Sequence, residues 1–216
     1  MPSECIKEEF LNSDDRKVHA SRTYLFMQGD KADRVYYIAE GLVKITRSDV
    51  LGRELTVALR SAGDLIGRAE VFIGRTRDCS AFVLENAETY ELDESSFKER
   101  LSASNDLSLA VNKELSVRLR EAENMLFSFG LDDARRRFCK LLLHFAEAYS
   151  DESEYGLRIN KELTHQELAY IVGTSRQTVT SLLNELQKKE IIEMKKKTIY
   201  ISDLNWLKRC KSQSWR

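Results

Sequence analysis

Between Tyr24 and Leu92 apolar residues come in short runs separated by Gly29, Gly41, Gly52, Gly63 and Gly74, a spacing of 11 or 12 residues. Val35-Tyr36-Tyr37-Ile38, Leu42-Val43-Lys44-Ile45 and Leu55-Thr56-Val57-Ala58-Leu59 read as strands, the last with the two-residue period of a half-buried one. With Cys79 to Leu84 and Thr89 to Leu92 they make about eight strands, and the regular turns predict a small antiparallel jelly roll. The period then changes. Ser95 to Arg100 predicts a short helix, and Ser104-Asn105-Asp106 can cap a longer one in which Leu107, Val111, Leu115, Leu119, Ala122, Met125, Leu126 and Phe129 recur at steps of three or four.

That second helix is a rod on the order of 35 Å long, longer than its jelly roll needs as a cover. Two copies packed in parallel would bury the surplus, with Val111, Leu115, Leu119, Ala122, Met125 and Leu126 as the seam of a homodimer. Gly130 interrupts the pattern, and Asp132-Asp133 opens a helix from Ala134 to Tyr149 with Phe138, Leu141, Leu142 and Phe145 inward. Asp151-Glu152-Ser153-Glu154 reads as a polar turn, and Phe129 to Asp133 as a hinge. The expected class is α+β: an N-terminal segment and sensing jelly roll (1–103), a dimerisation helix and hinge (104–131), and a C-terminal winged helix-turn-helix (132–216).

The third part rests on local signals. Thr164 and Glu167 form a capping box, so a helix starts there, and Gly173 ends it. Ser175 caps a second helix whose inward residues are Val179, Leu182, Leu183 and Leu186. A short turn between two such helices, with the small Ala169 in the first, describes a helix-turn-helix. Glu190 to Ile201 then reads as strand, basic turn and strand, a wing whose tip, Lys195, Lys196 and Lys197, meets phosphates.

Charge supports that division. The 216 residues carry 34 Lys plus Arg and 35 Asp plus Glu, but from Gly156 onward the count is 12 basic to 6 acidic, leaving 22 to 29 in the rest. A basic tail behind an acidic front points to a polyanionic partner for the tail. No apolar run approaches the roughly 18 to 20 residues of a membrane span, and MPSECIKEEF has acids where a signal peptide is apolar, so a cytoplasmic protein is expected, with no membrane partner. Cys5, Cys79, Cys139 and Cys210 lie far apart and suit reduced, inert thiols, with no metal site. A redox pairing of Cys5 with Cys210 and a reactive Cys79 beside Arg75 and Arg77 are the alternatives.

From Tyr24 to Leu207 the chain resembles the Crp/Fnr superfamily of bacterial transcription regulators. The likeness is carried by QGDKADRVYYIAEGLVKI (Gln28 to Ile45), SAGDLIG (Ser61 to Gly67) and LTHQELAYIVGTSRQTVTSLLNELQKKEII (Leu163 to Ile192). It implies a cyclic-nucleotide-binding-type jelly roll, a dimer helix, palindromic double-stranded DNA as partner and RNA polymerase as a further one in an activator, with no enzymatic activity. Members that bind cyclic AMP hold the ribose with a Gly-Glu pair and the phosphate with an Arg-Ser pair. Here Gly67-Arg68 and Cys79-Ser80 stand at those places, and Ala122-Glu123 replaces the Thr-Ser pair that meets the adenine. The resemblance therefore implies a different small organic effector, in a pocket formed by Gly67, Arg68, Glu70, Cys79, Ser80, Glu123 and Asn124, with Arg68 favouring an anion.

An Fnr-type iron–sulfur cluster lacks its ligands, since only Cys5 precedes the jelly roll. The family's haem sensors use an N-terminal proline and a histidine; Pro2 is present, but no histidine lies between His19 and His144, so haem would need other ligands. In the recognition helix, the resemblance places Ser175 on a phosphate and Arg176 on guanine. Gln177 stands where relatives have Glu, and Ser181 where cyclic AMP receptors have a second Arg, so with Thr180 they imply half-sites related to, but distinct from, TGTGA and TTGAT. Thr164 and Gln166 match phosphate contacts. The alternatives are a haem- or thiol-based gas or redox sensor of the same fold, a jelly-roll nucleotide-binding regulatory protein without DNA binding, and a cupin-type enzyme, which would need histidines that these strands lack.

Overall fold

The structure, a computed structural model, describes residues 4–12, 15–161, 163–195 and 198–212. It divides into two compact units between Ala122 and Glu123.

The first unit begins with a helix that the periodicity did not announce, α1 (Glu4–Leu11), whose Ile6 and Phe10 are buried one turn apart. Then come β1 (Arg16–His19), β2 (Tyr24–Phe26), β3 (Arg34–Ser48), β4 (Glu54–Ser61), β5 (Leu65–Ile66), α2 (Arg68–Ile73), β6 (Ser80–Asp93), α3 (Glu94–Ala103) and α4 (Asn105–Leu131). The strands pair antiparallel in the order β1-β6-β3-β4, with β2 on β6 and β5 on β3. This is a jelly roll, but of six strands among the described residues rather than about eight, because β3 and β6 run for 15 and 14 residues.

Gly41 is the reason for part of that difference. Expected as a turn, it lies inside β3 at φ +96°, and a Cβ there would stand 2.3 Å from the Asn86 carbonyl oxygen of β6. The β3–β6 register shifts around it. The glycine thus absorbs a bulge that bends the strand and lets it continue. Gly74 likewise ends a helix, α2, instead of joining strands.

Alternation along β3 distributes its side chains between two cores. Tyr36, Ile38 and Val43 point into the roll with Phe26, Ala81 and Val83. Val35 and Tyr37 point outward to a layer formed by Ile6 and Phe10 of α1, Phe97 of α3 and Leu107 and Val111 of α4. Val111, expected at a dimer seam, is therefore 3% exposed inside its own unit and is withdrawn from that surface. The apolar stripe left uncovered in the chain starts at Leu115 and includes Leu119, Ala122 and Leu126, with Met125 half-buried.

The second unit comprises the end of α4, then α5 (Ala134–Ala148), β7 (Ser150–Ser153), β8 (Gly156–Ile159), α6 (His165–Val172), α7 (Arg176–Lys188), β9 (Ile192–Lys195), β10 (Thr198–Ile201) and α8 (Leu204–Ser212). The expected polar turn at Asp151–Glu154 is corrected in part: only Glu154 lies in the turn that leads to β8, and Asp151 to Ser153 belong to β7, the edge of a four-stranded antiparallel sheet β7-β8-β10-β9. The side chains there are too polar to signal a strand, and pairing with β8 stabilises it instead. Gly130 is corrected too, because α4 stays helical through Leu131 and only Asp132 and Asp133 separate it from α5. Asp132 is buried, accepts from the Ser128 hydroxyl at 2.5 Å, and pairs with Arg136 at 3.2 Å and with Lys140. Burial would raise its pKa, but the hydrogen bonds from Lys140 and Ser128 and the nearby cations outweigh that and hold it below the usual carboxylate range. Phe138, Leu142 and Phe145 of α5 are buried, as are Leu168, Ala169, Val179, Leu183 and Leu207 on the helices α6, α7 and α8 that pack against it. Cys210 of α8 places its sulfur 2.7 Å from that of Cys139, both free and buried, so the thiol beside it is Cys139 rather than the Cys5 of the alternative pairing.

A candidate nucleic-acid interface and an arginine-lined cavity

In the second unit, two short helices are built by their ends. Thr164 accepts from the Glu167 N–H at 3.2 Å, and its own N–H donates to the Glu167 carboxylate at 2.7 Å, closing the capping box. Gly173 takes φ +67° and stops α6. Ser175 accepts from the Thr178 N–H at 3.0 Å and starts α7. Val179, Leu182, Leu183 and Leu186 then bury one face of α7, while Ser175, Arg176, Gln177, Ser181 and Asn184 are exposed on the other. Asn184, one turn beyond Ser181, belongs to the same outer face and was not picked out from sequence.

Three side chains outside this face hold it in place. Arg137 of α5 donates to the Val172 carbonyl at 2.8 Å and the Gly173 carbonyl at 3.3 Å, satisfying the C-terminal end of α6. Arg135 pairs with Glu185 of α7 at 2.5 Å. His165 Nδ1 lies 2.9 Å from the Thr180 hydroxyl, which also donates to the Arg176 carbonyl at 2.9 Å. Thr180, expected to face the groove, is thus half-buried and already engaged as a link between α6 and α7. Within the run Arg135-Arg136-Arg137, only packing decides that Arg137 serves carbonyls while Arg135 and Arg136 pair with the carboxylates of Glu185 and Asp132.

Thr164 is exposed and Gln166 half-buried at the start of α6. In the wing, β9 and β10 pair as expected. Lys195 folds its ammonium over the Tyr155 ring and lies 3.5 Å from Glu193, so its charge is partly engaged within the unit. Lys196 and Lys197 lie outside the described residues.

The first unit holds a cavity of about 320 Å³ whose walls include Gly67, Arg68, Glu70 and Cys79. Those four of the seven predicted effector residues come together. Ser80 is not in the lining; its hydroxyl accepts from the Gln28 N–H at 2.8 Å and ties the turn after β2 to the start of β6. Glu123 and Asn124 are exposed and begin the second unit. Arg60 of β4 and Arg118 of α4 also line the cavity, and the sequence marked neither as a site residue. Gly67 is required there, since at φ +77° a Cβ would meet the Arg77 guanidinium at 2.9 Å. That guanidinium is buried, donates to the Gly67 and Arg34 carbonyls and stacks on Phe26 at 4.3 Å.

The electrostatics of the walls are mixed. Burial lowers the pKa of Arg60, and the charge of Arg118 acts the same way; burial lowers Arg68 as well. Burial, and then the charge of Glu70, push the Cys79 thiol up to about 11, against the pull of Arg77. The expected alternative of a reactive Cys79 is therefore not supported by its surroundings. At neutral pH its alkylation by iodoacetamide should run about a hundredfold or more slower than that of an unperturbed thiol and should quicken as pH rises toward 11. Site-resolved mass mapping checks this; labelling of Cys79 at an ordinary rate at pH 7.5 would contradict it. Among the described residues there is no cluster of His, Cys, Asp and Glu able to hold a metal ion, and no helix is long and apolar enough to cross a membrane. The cavity lining offers haem one sulfur, Cys79, and no imidazole, a poor fit; Pro2 is outside the described residues.

Residues 16–104 match the cyclic nucleotide-binding domain family, and residues 136–210 the Crp-like helix-turn-helix domain family. The chain is 31% identical over 179 residues to a global nitrogen regulator of Synechocystis, covering 82% of this chain and 80% of that one. It is 29% identical over 185 residues to a CRP-like cAMP-activated global transcriptional regulator of Mycobacterium tuberculosis, covering 86% and 83%. Among solved structures it superposes on a c-di-GMP-responsive global regulator of Xanthomonas campestris with a TM-score of 0.80 at 26% identity, over 91% of this chain and 98% of the other. A CRP/FNR-family transcriptional regulator of Thermus thermophilus gives 0.78 at 25%, over 92% and 98%.

Proposed function

Because the chain belongs to the Crp/Fnr superfamily of transcription regulators, we propose that it works as a homodimer which reads a palindromic DNA site and is controlled by a small effector in the jelly-roll cavity. The outer face of α7 carries this reading: Ser175, Arg176, Gln177 and Ser181 are exposed while the opposite face is fully packed. Such a face offers donors and acceptors to base edges, and Arg176 suits bidentate contact with a guanine. Leu119, Ala122 and Leu126 supply the apolar stripe for a second copy of α4.

The effector is not cyclic AMP in this reading. A guanidinium, Arg68, stands where a ribose would need a carboxylate, and a neutral thiol, Cys79, where a cyclic phosphate would need a cation. An effector acts by binding one of two states better, so it changes DNA affinity by no more than that difference.

Selection of the full-length protein against a random duplex library tests the proposal. The expected product is an inverted repeat with half-sites about one helical turn, roughly 34 Å, apart, distinct from TGTGA and TTGAT. Enrichment of no sequence, or of a site without two-fold symmetry, would count against it.

A further inference from the structure

Apart from the jelly-roll cavity, the first unit carries a groove of about 680 Å³ between α2, α3 and α4. Phe72, Leu101, Val111 and Leu115 make its apolar wall. Its polar residues are already engaged locally. Ser102 donates to the Lys98 carbonyl at 2.9 Å, Ser108 to the Leu101 carbonyl at 2.7 Å and the Asn112 amide to the Ser108 carbonyl at 2.9 Å, while the Lys98 ammonium pairs with Glu94 at 2.6 Å. An apolar side chain suits such a groove, since a polar one would give up water for few new partners. Asn112 and Leu115 are also exposed on the outer side of α4, so the groove is continuous with the stripe assigned to a second copy.

The spacing along α4 says how a second copy would lie on it. Asn112, Leu119 and Leu126 recur every seven residues, and Ser108, Leu115, Ala122 and Phe129 recur every seven between them. These are the a and d positions of a two-stranded coiled coil. In that frame Val111, in the groove wall, is a g position, and Leu109 is an e position on the other flank of the seam. Parallel helices in register set the g flank of one against the e flank of the other; antiparallel helices set like flanks together. Asn112 favours the parallel arrangement, because there its amide meets a second amide across the two-fold axis. Leu109, 59% exposed in the protomer, then faces the groove. Val117 is 50% exposed on the same helix but falls at an f position, on the back of the seam.

Resting on the reading of the protein as a homodimer, we propose that the α2–α3–α4 groove of each protomer receives Leu109 of the partner subunit, with the two α4 helices parallel and in register about Asn112. The contact is reciprocal, as a two-fold interface requires, so both grooves are filled and both leucines are covered.

Analytical ultracentrifugation of the full-length protein, from nanomolar to micromolar concentration, tests this. Residues 102, 109, 112 and 117 are exposed in the protomer, so substitutions there leave its core intact. Leu109→Gln keeps a good helix former and is expected to raise the dimer dissociation constant about a hundredfold, about tenfold for each leucine that loses its cover. Val117→Gln, a comparable change at a comparably exposed site, should shift it by less than about threefold. Ser102→Trp fills the groove from α3 and should weaken the dimer as well. Leu109→Gln added to it should cost little more, because the leucine is already shut out. Asn112→Leu should tighten self-association, since a polar residue at an a position fixes register at a cost in stability.

A wild-type protein that stays monomeric would remove the homodimer reading itself and this contact with it. A wild-type dimer that Leu109→Gln weakens no more than Val117→Gln, or weakens as much with Ser102→Trp as without it, overturns the groove contact alone and leaves the groove to another occupant. A dimer that Asn112→Leu weakens or leaves unchanged puts residue 112 off the seam and overturns the register.

Discussion

Arg176→Ala is expected to abolish discrimination between the selected palindrome and random DNA while leaving weak, salt-sensitive binding. Arg176 opens α7 exposed, beside the Ser175 cap, and the four apolar residues behind it are buried whether or not the guanidinium is present. The substitution should therefore not unfold the helix, and alanine is a good helix former. A bidentate arginine–guanine contact is worth about 1–3 kcal/mol of base discrimination. A homodimer loses two of them, about 2–6 kcal/mol, or roughly 30-fold to 10⁴-fold in specific affinity. Fluorescence anisotropy with selected and scrambled duplexes, at several salt concentrations, separates the outcomes. Equal losses on both duplexes would make Arg176 a phosphate contact and move base reading to Gln177, Ser181 and Asn184.

Gly41→Ala is expected to have the largest effect on stability of any conservative change in the first unit. The alanine Cβ would meet backbone, Asn86 O at 2.3 Å and Ala87 Cα at 2.7 Å, so the obstacle cannot rotate away. A positive φ costs an L-residue about 1–2 kcal/mol, and overpacking typically adds about 1–3 kcal/mol. The sum, about 2–5 kcal/mol, is a large share of the stability of a domain of this kind. Urea unfolding followed by hydrogen exchange should show protection lost across β3 and β6 while α5 to α8 keep theirs. Gly52→Ala is the comparison: its Cβ would meet nothing within 4 Å, so only the cost of φ +75° applies. If the two variants lose the same stability, the close approach to β6 contributes nothing.

The DNA-reading part was legible because its signals are local. A capping box, a glycine helix stop, a serine cap and a buried stripe with the helical period all lie between Thr164 and Leu186, and each needs only its near neighbours to act. The jelly roll was legible in kind but not in count. Whether a glycine makes a turn or a bulge depends on the strand opposite, and for Gly41 that strand is more than forty positions away in sequence, at Asn86. The polar strand β7 and the amphipathic α1 were missed for a related reason, since each is held by a partner surface rather than by its own composition.

By itself the sequence determined a roll, a long helix and a helix-turn-helix, the family they belong to, and the departures at Arg68, Cys79 and Ala122-Glu123 that argue against cyclic AMP. Only the tertiary structure decided that Val111 belongs to the core, that Thr180 ties α7 to His165, and that Arg60 and Arg118 join Arg68 around one cavity. Helix caps and hydrophobic periods are written within a turn or two of the chain. The charge of a cavity depends on which guanidiniums face inward and which carboxylates stand behind, and that is settled when β4, α2 and α4 pack together.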